Sequence, residues 1–153
     1  MSLEAVKTYF SQHNMLDRIK VLESSTATVE EAAKAHQVDP DQIGKTLSFK
    51  LEGKAILVVV AGESKIDNKK YKNQFSSKAK MLSPGEVLEE TGHAIGGVCP
   101  FGLKKSIDVY LDVSLKKHTE IIPAAGDQYS AIRLTIEELE KHSNYKAWVD
   151  VSK

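Results

Sequence analysis

Leu3, Val6, Tyr9 and Phe10 recur at helical spacing, so the chain opens with a predicted amphipathic helix. Arg18 to Glu23 alternates enough for a strand. Thr28 followed by Glu31 forms a capping box ahead of Ala32, Ala33 and Ala35, which predicts a second helix. Asp39-Pro40-Asp41 reads as a turn that could open a short helical turn. Thr46 to Leu51 and Ala55 to Ala61 flank Glu52-Gly53-Lys54, the pattern of a hairpin with a three-residue loop.

Further on, Asp67 to Phe75 reads as a short lysine-rich helix and Ala79 to Leu82 as a short strand. Ser83-Pro84-Gly85-Glu86 joins an N-cap, a proline at the first helical position and a glutamate at the third, so a helix should run from there to Gly92. Strands are expected at Ile107 to Val113, Thr119 to Pro123 and Ala131 to Thr135. A capping box of Thr135 and Glu138 opens a last helix to about His142, and Trp148 to Val151 could close the sheet. Helices interrupt short strands at irregular intervals, without repeat or low-complexity linker. The expectation is one α+β domain over residues 1–153, with a mixed, mainly antiparallel sheet or barrel surrounded by helices.

A chain of 153 residues, 41% hydrophobic and 27% charged, has the size and composition of one ordinary globular domain. Its longest apolar run, Ala55 to Ala61, falls far short of the roughly 20 residues that cross a bilayer. No secretory pattern opens the chain, so a cytoplasmic location and no membrane partner are expected. Net charge is zero, but Lys65, Lys69, Lys70, Lys72, Lys78 and Lys80 crowd one segment with Asp67 as the only acid. Such a segment is either a solvated surface of mixed sign or one half of a positive face that attracts a phosphate backbone.

Two short motifs carry candidate chemistry. Gly44-Lys45-Thr46 lacks the glycine that a P-loop needs at position 39, which is aspartate, and leads into a strand rather than a helix. Lys45 is thus an ordinary surface lysine or a cation directed into a cleft, where it could hold a phosphate or favour developing negative charge. Gly96-Gly97-Val98-Cys99-Pro100-Phe101-Gly102 is a tight helix-to-strand connection, or a loop whose bare N–H groups form an anion cradle. Cys99, the single cysteine, excludes an internal disulfide; a packing role outweighs a nucleophile paired with His93 or His118. The five histidines form no metal-binding spacing, and only His93, ahead of the glycine loop, falls near a site. Asp112 is an inward carboxylate or a plain strand-end acid.

Lys45-Thr46-Leu47, the G-x-x-x-P pattern of Gly96 to Pro100, Asp112 after the next strand, and the turn Ala125-Gly126 before Ala131-Ile132-Arg133-Leu134 resemble the YbaK/ProX family. These are free-standing relatives of the prolyl-tRNA synthetase editing domain, and the resemblance covers nearly the whole chain. It implies a cofactor-free and metal-free aminoacyl-tRNA deacylase that acts on the 3′ end of mischarged tRNA, with prolyl-tRNA synthetase as an associated partner. Lys45 would contact the terminal phosphate or the ester. Backbone N–H groups of Gly96, Gly97, Val98 and Cys99 would polarise the carbonyl. Thr46, His93, Pro100, Phe101, Asp112, Ala125 and Gly126 would line the substrate site.

The attacking group would be water or a group of the substrate. Such an ester is already activated, so positioning and oxyanion stabilisation can suffice. The cysteine-specific branch carries a hydroxyl and a carboxylate near the last turn, where this chain has Ala124 and Ala131. That leaves alanine, serine, threonine or a non-protein analogue open as the amino acid removed. Two rivals stand beside this reading: an inactive module that binds tRNA or a synthetase, and a small ester or thioester hydrolase that uses Cys99.

Overall fold

Three of the helices begin at capping boxes, in which a hydroxyl accepts from the N3 amide while the N3 glutamate accepts from the cap amide. They are α2 (Val29–His36, capped by Thr28), α4 (Pro84–Thr91, capped by Ser83) and α5 (Ile136–Ser143, capped by Thr135). The computed structural model describes residues 2–153. α1 (Ser2–Ser11) precedes these, and α3 (Asn68–Phe75) is capped by the Asp67 carboxylate, which accepts from Lys69 and Lys70 N–H. α4 ends where the sequence predicts, on Gly92 at φ +81°.

The strands are β1 (Ile19–Val21), β2 (Ile43–Leu51), β3 (Lys54–Ala61), β4 (Asp108–Asp112), β5 (Glu120–Pro123), β6 (Ser130–Ile132), β7 (Leu134–Thr135) and β8 (Ala147–Val149). Six form one mixed sheet in the order β7-β5-β2-β3-β4-β8, and β1 pairs with β6 in a separate ladder. The longest ladder, β2 with β3, is antiparallel, whereas β2–β5, β3–β4 and β4–β8 are parallel.

β3 sits at the centre because both its faces are covered. Leu57, Val59 and Ala61 pack with Val6 and Phe10 of α1, Leu111 of β4 and Leu139 of α5. Ile56, Val58 and Val60 pack on the other face with Phe49, Tyr71 of α3, Val149 and Val151. A continuous apolar run is what a strand buried on both faces requires, and each buried Val, Leu or Ile in it stabilises the fold by about 1.5–3 kcal/mol.

Several local expectations change. Leu51 pairs with Lys54, so the hairpin loop is the two residues Glu52 and Gly53, not three. Both have positive φ, the combination a two-residue loop takes to match the strand twist. β2 starts at Ile43, so Lys45 lies inside the strand opposite Val60 rather than at its mouth. The segment Ala79 to Leu82 makes a single bridge, Met81 to Phe49, because only there does it meet β2 in register. The expected strand Ala131 to Thr135 divides at exposed Arg133: β6 pairs with β1, and β7 pairs with β5. After Asp112 the chain enters a 3₁₀ turn, Val113–Lys117, that has no forecast in the sequence pattern.

Candidate functional site

Lys45 occupies the third position of β2, flanked by β3 and, at Gly44, by β5. Gly44 permits that flank, since a Cβ there would lie 2.7 Å from Ile121 Cγ2. The Lys45 ammonium donates to the Ser64 carbonyl at 2.6 Å. Burial holds its pKa below the usual lysine value, with nearby Lys65 acting in the same sense and Glu30 and Asp41 opposing.

A cavity of about 240 Å³ opens beside it. Its walls are Gly44 to Ser48 of β2, the entry to α2 from Thr26 to Val29, the Met81-Leu82 segment, Ile95, Gly96 and Val98 of the glycine loop, and Ala124, Ser130 and Ala131 beyond β5. The lining is mostly apolar, and Met81 and Ile95 stand exposed at its edge. Two lining residues, Thr46 and Ser130, keep hydroxyl oxygens that are buried with no hydrogen-bond partner among the described residues. Buried hydroxyls are normally satisfied, so these two mark unmet hydrogen-bonding capacity in the cavity wall.

The glycine loop divides in function. Gly96, at φ +95°, and Val98 reach the cavity, and a Cβ on Gly96 would press on Ala27 Cβ at 3.1 Å. Gly97 is held away. Its N–H donates to the Ala94 carbonyl, its carbonyl accepts from Gly126 N–H, and a Cβ would collide with the backbone of Gly126 and Asp127. Gly97 N–H is therefore engaged internally, contrary to the role expected of it. No backbone carbonyl among the described residues accepts from Gly96, Val98 or Cys99 N–H.

From Cys99 onward the loop enters the core. Cys99, Pro100 and Phe101 are buried, and the Phe101 ring meets Phe10 edge-on at 5.0 Å. His93 is fully buried; its Nε2 donates to the Phe101 carbonyl at 2.7 Å, and burial pushes its pKa down. Cys99 Sγ lies 3.6 Å from that nitrogen, which already holds its proton toward Phe101 and cannot serve as the thiol's base. Burial raises the thiol pKa to about 12.

The remaining expected residues also lie off the cavity. Asp112, fully buried, accepts from Ser114 N–H, Val151 N–H and Ser152 Oγ, tying the end of β4 to the C-terminal segment. Ala125 bonds back to Ser130, and Gly126 braces Gly97 while packing against the start of α1. Of the expected set, the cavity gathers Lys45, Thr46, Gly96 and Val98. It does not gather Gly97, Cys99, His93, Pro100, Phe101, Asp112, Ala125 or Gly126. Ser130, Met81, Ile95 and the α2 entry join the cavity without being among the residues expected from the sequence. Only the Thr28 capping box gave a signal, and it marked a helix start rather than a wall.

A wider groove of about 610 Å³ lies beyond the shared wall of Ile122 and Ala131. It is lined by the ion pairs Arg18–Glu138 and Arg133–Glu120 and holds none of the expected residues. Among the described residues, no group of three His, Cys, Asp or Glu side chains could hold a metal. Among the described residues, no helix is long and apolar enough to cross a membrane.

The chain is 53% identical to the uncharacterized protein YwhH of Bacillus subtilis over all of its own length and 98% of that protein. It is 26% identical to the proline–tRNA ligase of Bacillus velezensis across 86% of this chain, which spans only 23% of that enzyme. A crystal structure of a candidate trans-editing enzyme for prolyl tRNA synthetase superposes with a TM-score of 0.89 at 31% identity, covering 99% of this chain and 97% of the other. Residues 23–142, which run from the approach to α2 through the cavity walls and into α5, match the model of the aminoacyl-tRNA editing domain. By that match, the chain belongs to the aminoacyl-tRNA editing domain family.

Proposed function

We propose that the protein is an aminoacyl-tRNA deacylase that removes a small, wrongly attached amino acid from tRNA, with tRNA(Pro) as the first substrate to consider. One observation carries this reading: Lys45, the Gly96–Val98 loop and two unpartnered hydroxyls converge on one small, largely apolar cavity. Prolyl-tRNA ligases among the relatives, and the trans-editing description of the structural neighbour, support the choice of tRNA.

In the proposed reaction the aminoacyl group enters between Ala124, Ala131 and Ile122, and the terminal nucleotide rests at the exposed edge formed by Met81 and Ile95. Water adds to the ester carbonyl carbon. Negative charge then develops on the carbonyl oxygen, where Gly96 and Val98 N–H groups and the Lys45 cation lower its energy. Collapse of the tetrahedral intermediate breaks the bond to the ribose oxygen, which takes up a proton. Free amino acid and tRNA with a free hydroxyl leave. Thr46 and Ser130 hydroxyls hold the amino group or the ribose, so the chemistry rests on positioning and needs no protein nucleophile. The apolar walls favour small side chains and reject larger ones by clash, which discriminates more strongly than the loss of one methylene.

The test is release of amino acid from tRNA(Pro) charged with Ala, Cys, Ser, Thr or Pro. Rapid release of one non-cognate residue, with Pro-tRNA spared, is the expected result. No release from any member of the panel would reject deacylation of tRNA(Pro).

A further inference from the structure

The lysines that crowd residues 65–80 lead up to the cavity edge at Met81, next to the strand that carries Lys45. Lys45, Leu47 and Phe49 share one face of β2, and Phe49 packs against Tyr71 of α3, so α3 covers the face from which Lys45 projects. Lys65 follows Ser64, the acceptor of the Lys45 ammonium. Lys69 and Lys72 lie one turn apart on α3, away from buried Tyr71, and both are exposed. Lys78 and Lys80, also exposed, lead directly into Met81 at the cavity edge. Among the described residues none of these five exposed lysines forms an ion pair, whereas Lys70 is matched by Asp150.

α4, whose Val87 lines the cavity, has the other sign: it carries Glu86, Glu89 and Glu90, of which Glu86 pairs with Lys50 and Glu90 with Lys105. Net charge is zero, so attraction for a polyanion must come from this asymmetry rather than from the chain as a whole.

We infer that the face formed by Lys65, Lys69, Lys72, Lys78 and Lys80 is the docking surface for the body of an RNA, whose acceptor end reaches the cavity from the α3 side and not over α4. The inference rests on tRNA as the substrate and adds the direction from which it approaches. The partner fits the chemistry: ammonium groups suit phosphates, while Asn68, Asn73 and Gln74 on the exposed side of α3 suit ribose and phosphate oxygens. A lipid surface would need several apolar anchors among these lysines; α3 offers none on its exposed side, and Met81 is the single exposed large apolar side chain beside them.

The experiment is binding of uncharged tRNA(Pro) transcript to the full chain, followed by fluorescence anisotropy as a function of salt. Wild type should bind with an affinity that falls steeply as salt rises. Lys69→Glu/Lys72→Glu and Lys78→Glu/Lys80→Glu should each weaken binding at least about ten-fold and flatten the salt dependence by roughly one power of salt per lost phosphate contact. Lys141→Glu, a charge reversal on α5, should leave binding within about two-fold. Equal effects from all three variants, or salt-insensitive or undetectable binding by wild type, would overturn the inference. Because the transcript carries no ester, this outcome is separate from deacylation: lost binding in the lysine variants sustains the surface even if the amino acid panel shows no release. Intact binding alongside active deacylation sinks the surface alone.

Discussion

The Lys45 ammonium donates to the Ser64 main-chain carbonyl at 2.6 Å, which anchors a half-buried cation at the edge of the cavity without neutralising it. A main-chain carbonyl orients the charge, whereas a carboxylate partner would cancel it. Replacement by alanine should therefore lower the deacylation rate by about ten-fold or more while leaving the fold intact. Wild-type turnover by Lys45→Ala would remove the residue from the reaction.

The same residue predicts a pH dependence. Burial holds its pKa below the ordinary lysine value, so the cation is lost at lower pH than for an exposed lysine. An arginine at this position stays charged. After subtraction of spontaneous ester hydrolysis, the wild-type rate relative to Lys45→Arg should fall as pH rises toward the lysine range. A ratio independent of pH would mean that the charge at position 45 does not act in the rate-limiting step.

Cys99 combines complete burial, a thiol pKa near 12 and a histidine neighbour committed to Phe101. The native protein should resist thiol reagents, and Cys99→Ala should retain deacylation with a modest stability loss of about 1 kcal/mol. Rapid labelling of the folded protein, or an inactive and well-folded Cys99→Ala, would restore the thiol to the chemistry.

Gly97 and Asp112 are expected to matter through the fold. A methyl at Gly97 would overlap the backbone at Gly126 and Asp127, which cannot yield as a flexible side chain can. Gly97→Ala should therefore displace the loop and lower both stability and activity. Asp112→Ala leaves the Val151 and Ser114 amides and the Ser152 hydroxyl without their acceptor, at a cost of about 2–4 kcal/mol. Denaturant unfolding measures that cost, and the rate per folded molecule should be unchanged.

Burial depresses the pKa of His36, His93 and His142. A histidine that is neutral when folded but protonates more readily when unfolded contributes stability above its unfolded pKa of about 6.5, and that contribution is lost on acidification. Asp41, Glu86 and Glu138 have lowered carboxylate pKa values, so their contribution is lost only at more acidic pH. The melting temperature should thus fall between about pH 7 and pH 5, ahead of carboxylate protonation. A melting temperature constant over that window would contradict the burial of these three rings.

What sequence alone determined was local. The capping boxes at Thr28, Ser83 and Thr135, the stop at Gly92 and the buried run of β3 each depend on contacts within a few residues or on the periodicity of one element. The family was also legible, because short motifs around Lys45 and Gly96 to Pro100 keep their spacing however the chain folds between them. Tertiary structure decided which motif residues act together. The glycine loop looks uniform as a string, yet packing turns Cys99 to Phe101 into core and leaves Gly96 and Val98 at the cavity. Asp112 finds its partners some 40 residues away, at Val151 and Ser152, and β4 and β8 pair in parallel across a similar span. Ser130 joins Thr46 only because β5 lies beside β2. Such placements follow from which faces must be buried against one another, a property of the whole chain that no local window contains.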